Sequence, residues 1–265
     1  ALTLGIPGNV VNEMNLMLSD LAELARKSPS LVEQFDHLGD DAHVWLANIA
    51  KIEGSEAFLE VWDDFLTRYG SRGASEIDIS MIRWQEDPLP VLRVIAGNIE
   101  KNVSSHALFD AQARAREDVF AKLLDATGHG LFGNLRLRLF KRFYHVLVEA
   151  GGMREHHKFM AVRFLALVRD LVKENATELV SEGKLSAPDD IWFLKWSELL
   201  TIWSDTSTSW NAVVAQRRAE FARYENLTPP MVITSDGETP VVKYSMKDAP
   251  PGALIGNPVS PGIVE

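Results

Sequence analysis

The chain has 265 residues, 46% hydrophobic and 24% charged, with 7 Trp and 12 Phe to bury. That balance is globular rather than disordered. A net charge of −10 argues against nucleic acid as a partner, which normally demands a basic excess. Zero cysteines remove disulfides, thiol nucleophiles and Cys-ligated metals from consideration. No apolar run reaches the roughly 18 residues of a membrane span and no leader-like segment opens the chain, so a cytoplasmic location and no membrane partner are expected. The first residue is Ala1 and the last, Glu265, falls in an apolar Gly/Pro-containing stretch, as expected of a piece of something longer.

Most of the sequence reads as helix. Val10, Met14, Met17, Leu18, Leu21 and Leu24 recur every three or four residues, predicting a helix over Val10–Lys27, with Asn9 as N-cap and Pro29 as a stop. Helices follow at Asp41–Glu53 and at Ser55–Arg68, the latter with Phe58, Val61, Trp62 and Phe65 on one face. Leu89–Lys101, His106–Leu124, Leu135–Glu149, Arg154–Gly183 and Ser209–Glu225 continue the pattern. In Arg154–Gly183 the predicted core stripe is Met160, Phe164, Leu167 and Leu171. Glycines and prolines mark the breaks at Gly70–Pro90, Thr127–Gly133 and Gly151–Gly152. After Leu227 seven prolines accumulate, and Val232-Ile233 and Val241-Val242 read as brief strands about a turn at Ser235-Asp-Gly-Glu238. The predicted fold is mainly α: a multi-helix bundle over 1–227, then an extended or β tail over 228–265.

Metal and catalytic candidates are thin. No HxxxH or HExxH pair occurs, and His156 and His157 are adjacent, about 100° apart on a helix, so they cannot share one ion. No metal ligand and no catalytic residue is assigned. Gly128-His-Gly130-Leu-Phe-Gly133 matches GxGxxG but follows a helix rather than a strand, so it reads as a helix–helix loop and not a dinucleotide site. Leu135-Arg-Leu-Arg-Leu-Phe-Lys-Arg-Phe143 is basic, and alternation of this kind more often serves a neighbouring acidic helix than a polyanion.

Two polar clusters stand out. Arg72, Glu76 and Asp78 lie in a glycine-punctuated loop ahead of Arg83-Trp84. They read either as an Arg–carboxylate clamp with Trp84 as its plug or as the polar floor of a ligand site. Arg154 and Lys158, four apart at a helix start, share a face that continues through Val162, Leu165 and Arg169. Cations there oppose the helix dipole at a cost of about 0.3–1 kcal/mol unless an anionic group offsets it. They read either as a solvated basic face or as a pair aimed at a phosphate.

Several segments together resemble a known family. Tyr69-Gly-Ser-Arg-Gly-Ala-Ser-Glu-Ile-Asp-Ile-Ser80, with Arg83-Trp84-x-Glu-Asp-Pro88, is similar to the middle region of phosphoenolpyruvate-utilising dikinases. Arg154-Glu-His-His-Lys158 resembles their Arg-Glu-Tyr-Pro-Lys signature. Tyr224-Glu-Asn-Leu-Thr-Pro-Pro-x-Val-Ile-Thr-Ser-Asp-Gly-Glu238 resembles a run in rifampicin phosphotransferases. Gly256-Asn-Pro-Val-Ser-Pro-Gly-Ile-Val-Glu265 is similar to the entry of a swivelling phosphohistidine domain, and Ile6-Pro-Gly-Asn-Val-x-x-Glu-Met14 fits the same family. The sequence departs from it at His156-His157, where Tyr-Pro is usual, and at Ser75, where Gly is common.

The resemblance implies the later part of a helical acceptor-binding domain, inactive alone. Its partners would be ATP-grasp and swivelling His domains of the same enzyme, with ATP and Mg bound there and no cofactor bound here. The acceptor would be rifampicin-like, and Arg154, Lys158, Arg72, Glu76 and Asp78 would bind it. Two alternatives stay open: an equivalent region of a phosphoenolpyruvate synthase-like enzyme, with pyruvate or another natural product as acceptor, and a non-catalytic helical interaction module. An exposed apolar face is expected near Met14, Met17 or Phe164.

Overall fold

The computed structural model describes residues 2–101, 104–130, 132–230 and 233–239. Among these residues there are ten α-helices and no strand, so the chain is mainly α. It divides into two compact units, one ending at Thr206 and the other beginning at Ser207.

The first unit is built on an aromatic spine. Helix α1 (Val10–Arg26) starts where the Asn9 side chain accepts the N–H groups of Val11 and Asn12, as its predicted cap role requires. Pro29 does more than stop α1: with Ser28 as cap it opens α2 (Pro29–Asp36). Proline suits the first helical position, because its φ is preset and its missing N–H has no helical partner to lose. Helix α3 (Ala42–Ile49) follows, then α4 (Glu56–Tyr69) and α5 (Leu89–Lys101).

Along α4, Phe58, Trp62, Phe65 and Tyr69 recur at helical spacing and are all buried. Phe35 packs between Trp45 and Phe58, and Phe65 stacks at 6.2 Å from Trp84. Val10, Met14, Leu18 and Leu21 of α1 close the same core, as does Leu92 of α5. Each such fully buried side chain contributes about 1.5–3 kcal/mol.

Helices α6 (Ser105–Thr127) and α7 (Gly133–Gly151) form a hairpin. Gly128 of the GxGxxG segment caps the end of α6, and Gly133 already begins α7; Leu131 lies outside the described residues. Arg116 is buried and ties the hairpin to the amino-terminal loop by donating to the Leu4 and Gly5 carbonyls and to the Tyr144 hydroxyl. The chain then turns through a 3-10 segment, Gly152–Glu155, into α8 (His156–Ser181). Gly152 is required at that corner: a Cβ there would sit 2.3 Å from the Pro7 carbonyl oxygen.

The predicted core stripe of α8 needs correction. Met160, Phe164, Leu167 and Leu171 are exposed, Phe164 to 65%. The buried face is Val162, Ala166, Arg169, Val172, Ala176 and Leu179, because the loop after α4 and a second 3-10 segment, Pro188–Phe193, pack on that side. Both faces carry apolar residues, so periodicity alone does not choose between them. Phe164 therefore lies on the expected exposed face, whereas Met14 is buried and Met17 packs partly buried against the core. Helix α9 (Trp196–Leu199) is a single turn.

The second unit contains α10 (Trp210–Glu225). A turn at 234–237 is closed by the Gly237 N–H donating to the Thr234 carbonyl at 3.0 Å, with Gly237 at φ +80°. Val232, Val241 and Val242, the swivelling-domain-like segment and most of the tail lie outside the described residues.

Candidate functional site

The loop between α4 and α5 is an irregular backbone held from both sides. Gly73 lets it fold closely on itself, since a Cβ there would lie 2.5 Å from the Ile82 carbonyl oxygen. The Trp84 and Gln85 N–H groups donate back to the Arg72 and Gly70 carbonyls. Ser75 adopts φ +52° and is the one non-glycine residue with positive φ among the described residues. An L-residue in that region stores about 1–3 kcal/mol of strain, which accounts physically for the glycine common there in the resembled family.

This strained loop carries three of the five candidate residues. Arg72 grips Glu76 with a two-pronged fork, Nε to Oε2 and Nη2 to Oε1, both at 3.0 Å. Lys158 Nζ reaches Glu76 Oε1 at 3.0 Å from the first turn of α8. The Glu76 carboxylate is thus bracketed by two cations. Burial pushes its pKa up, but the hydrogen bonds from Arg72 and Lys158 outweigh that and leave it below the ordinary carboxylate value. The guanidinium of Arg72 also sits 5.8 Å from the Trp84 ring centroid, within cation–π range.

These side chains line an open cavity of about 670 Å³ together with Gly73, Ser75, Ile77 and Asp78. The structure therefore brings Arg72, Glu76, Asp78 and Lys158 to one place. Arg154 is apart from them: it sits on the 3-10 segment, largely exposed, and pairs with its neighbour Glu155 at 3.0 Å. Asp78 accepts from the Ser80 N–H and hydroxyl, which fixes its carboxylate at the loop's turn. The clamp and ligand-floor readings of the loop are thus compatible. The Arg72–Glu76 fork is the clamp, and its outer side faces the cavity.

Sequence reasoning missed the deeper layer beneath this site. Arg83 is fully buried and donates to the Glu76 and Asp78 carbonyls at 2.8 and 3.1 Å. Glu86 accepts from the Arg83 N–H, from both prongs of Arg169 and from Lys173. The signal available was the spacing of Lys158, Arg169 and Lys173 on one face of the helix.

Burial alone would raise the pKa of Glu86. The hydrogen bonds from Arg169, Lys173 and the Arg83 backbone instead hold it at about 2, well below its ordinary 4.5. A depressed carboxylate stabilises the fold fully above its unfolded pKa and loses that contribution as pH falls through the folded value. We expect about 3 kcal/mol of stability to disappear between about pH 4.5 and pH 2. Urea midpoints measured across that window should show this fall, and Glu86→Gln should flatten it. An unchanged slope in the variant would contradict the assignment.

The model of the rifampicin phosphotransferase fourth domain matches residues 1–155. A rifampicin phosphotransferase of Bacillus subtilis (strain 168) is 32% identical over 271 residues, covering the whole chain and 30% of that protein. One from Streptomyces sviceus is 33% identical over 269 residues, again covering all of the chain and 30% of the relative. The prodigiosin synthesizing transferase PigC of Serratia marcescens is 25% identical over 95% of the chain and 28% of its own length. The helical fold and these matches thus define a domain of a phosphotransferase. The chain belongs to the rifampicin phosphotransferase family, and it spans about a third of the length of these relatives.

Proposed function

We propose that this chain is the acceptor-binding region of a larger ATP-dependent phosphotransferase that phosphorylates rifampicin through a phosphohistidine carried on another domain. The carrying observation is the cavity of about 670 Å³ where Arg72, Glu76, Asp78 and Lys158 converge beside Trp84. Relatives named rifampicin phosphotransferase that align over the whole chain support the choice of acceptor.

The residues suit positioning and charge stabilisation, which phosphoryl transfer needs more than covalent help from the acceptor side. Arg72 and Lys158 are placed to hold oxygens of the acceptor and of the arriving phosphoryl group. Glu76 fixes both cations in the free site. Its lowered pKa makes it a poor proton acceptor, so its role is orientation rather than general-base catalysis. Trp84 offers a flat apolar wall to a large aromatic acceptor.

Among the described residues no group of three or more His, Asp or Glu could hold a metal ion. In this reading ATP and Mg belong to the ATP-grasp domain of the same enzyme, and the phosphohistidine to the swivelling domain. The isolated chain is expected to turn over neither ATP nor rifampicin.

A second reading keeps the architecture and changes the acceptor to another natural product. The relative named a prodigiosin synthesizing transferase, which matches 95% of the chain, favours it. Titration of rifampicin into the full-length protein with ATP present separates the two: saturable binding supports the first, and none supports the second.

A further inference from the structure

Arg169 lines no part of the cavity just described, yet its contacts decide where the cavity's loop sits. It is 4% exposed on α8. Its Nε and Nη2 hold the two Glu86 oxygens at 2.8 and 3.2 Å. Its Nη1 donates to the Ile79 and Ser80 carbonyls at 2.8 and 2.9 Å. Trp192 of the second 3-10 segment covers its other side, with the guanidinium carbon 4.9 Å from the ring centroid. Four hydrogen bonds and an aromatic lid leave the guanidinium no alternative pose.

The same helix also carries Lys158, eleven residues earlier. Eleven residues return an α-helix to within about 20° of the same face, about 16 Å along the axis. The loop is therefore pinned to one rigid rod at two points: Glu76 to Lys158 at one end, and Ile79, Ser80 and Glu86 to Arg169 at the other. Arg83 ties the two points together from inside, through the Glu76 and Asp78 carbonyls. With both points fixed, the loop backbone that carries Glu76 is held against α8 on either side of the Arg83 contacts.

We propose that Arg169 is a positioning residue of the acceptor site, setting the distance between the loop's Arg72–Glu76 pair and Lys158 without touching the acceptor. This rests on the acceptor-site reading above. The backbone carbonyls of Ile79 and Ser80 need a planar, multi-pronged donor that also spans both oxygens of Glu86. A lysine at this position offers a point charge and cannot bridge all four acceptors.

The test uses the full-length enzyme with ATP and rifampicin as probes. Arg169→Lys keeps the charge and Glu86→Gln keeps the shape, and a cooperative urea transition in each shows that the variant assayed is folded. Expected in both is a rise in the rifampicin KM of about tenfold or more, the scale of a lost charge-assisted hydrogen bond. The ATP KM stays at its wild-type value, and amide exchange quickens at Trp84 and Gln85, whose N–H groups close the loop. Exposed Arg163→Gln serves as control. Two results overturn the proposal while sparing the acceptor site: a wild-type rifampicin KM in Arg169→Lys although Arg72→Ala raises it, or equal rises in the KM for ATP and for rifampicin. If Arg72→Ala and Lys158→Ala also leave the rifampicin KM unchanged, the acceptor-site reading falls and this proposal with it.

Discussion

Arg72→Ala and Lys158→Ala are each expected to lower rifampicin phosphorylation by the full-length enzyme about 10- to 100-fold in kcat/KM. Each substitution removes a charge-assisted hydrogen bond at a partly desolvated carboxylate, and a bond of that kind contributes about 1.5–3 kcal/mol. Arg72 also fixes Glu76 in two-pronged geometry and lies against Trp84, so its loss disturbs the cavity wall as well. Arg72→Lys should recover only part of the activity, because an ammonium cannot reproduce the fork. Steady-state assays varying rifampicin at saturating ATP measure this. Wild-type kcat/KM in both alanine variants would remove these cations from the site. Arg154→Ala in the same series reads out the exposed 3-10 segment. A loss as large as that of Lys158 would show that Arg154 reaches the acceptor from outside the cavity lining.

The largest stability effect is expected at Arg83. Its side chain is fully buried, and burial together with the nearby Arg169 lowers its pKa from the ordinary value. Arg83→Met keeps much of the volume but takes the guanidinium from the Glu76 and Asp78 carbonyls, the latter keeping only the Met81 N–H at 3.3 Å. Each stranded buried group costs about 1–3 kcal/mol, so a loss of about 2–5 kcal/mol is expected. Urea unfolding should show an earlier midpoint, and amide exchange should quicken through 70–88 before it does in α4. A midpoint unchanged from wild type would mean that the carbonyls find other partners and that Arg83 is dispensable. The pattern of exchange matters as much as the midpoint, because the Phe58 end of the α4 spine packs on Phe35, away from this loop.

Much of this architecture is legible in the sequence. The α4 stripe of Phe58, Trp62 and Phe65 faces inward as its spacing predicts, because rings this large have no other way to leave water. Asn9 caps α1, and the break between α6 and α7 begins at Gly128 as the glycines predict. The α8 stripe is not legible in the same way, because that helix is apolar on two sides. Its inward face is chosen by a loop 80 to 90 residues earlier in the chain, which no local period records. At the site, the juxtaposition of Arg72, Glu76, Asp78 and Lys158 came from motif resemblance and matches the geometry. Arg83 and Glu86 stand in the family-like motif and Arg169 on the Lys158 face, but neither pattern says that these charges are buried against one another. Buried charges look like surface charges in sequence until their partners are known. Ser75 shows the reverse: its left-handed backbone explains a departure that the sequence could note but not interpret.

The proposed function rests on rifampicin binding at the Arg72–Glu76–Lys158 cavity. The most direct measurement is a calorimetric titration of rifampicin into the full-length protein with ATP present, run on wild type and on the Arg72→Ala/Lys158→Ala double variant. Saturable one-site binding by wild type is expected, with at least about a tenfold weaker Kd in the variant. Wild-type protein that binds no rifampicin, or a double variant that binds it equally well, would contradict the claim.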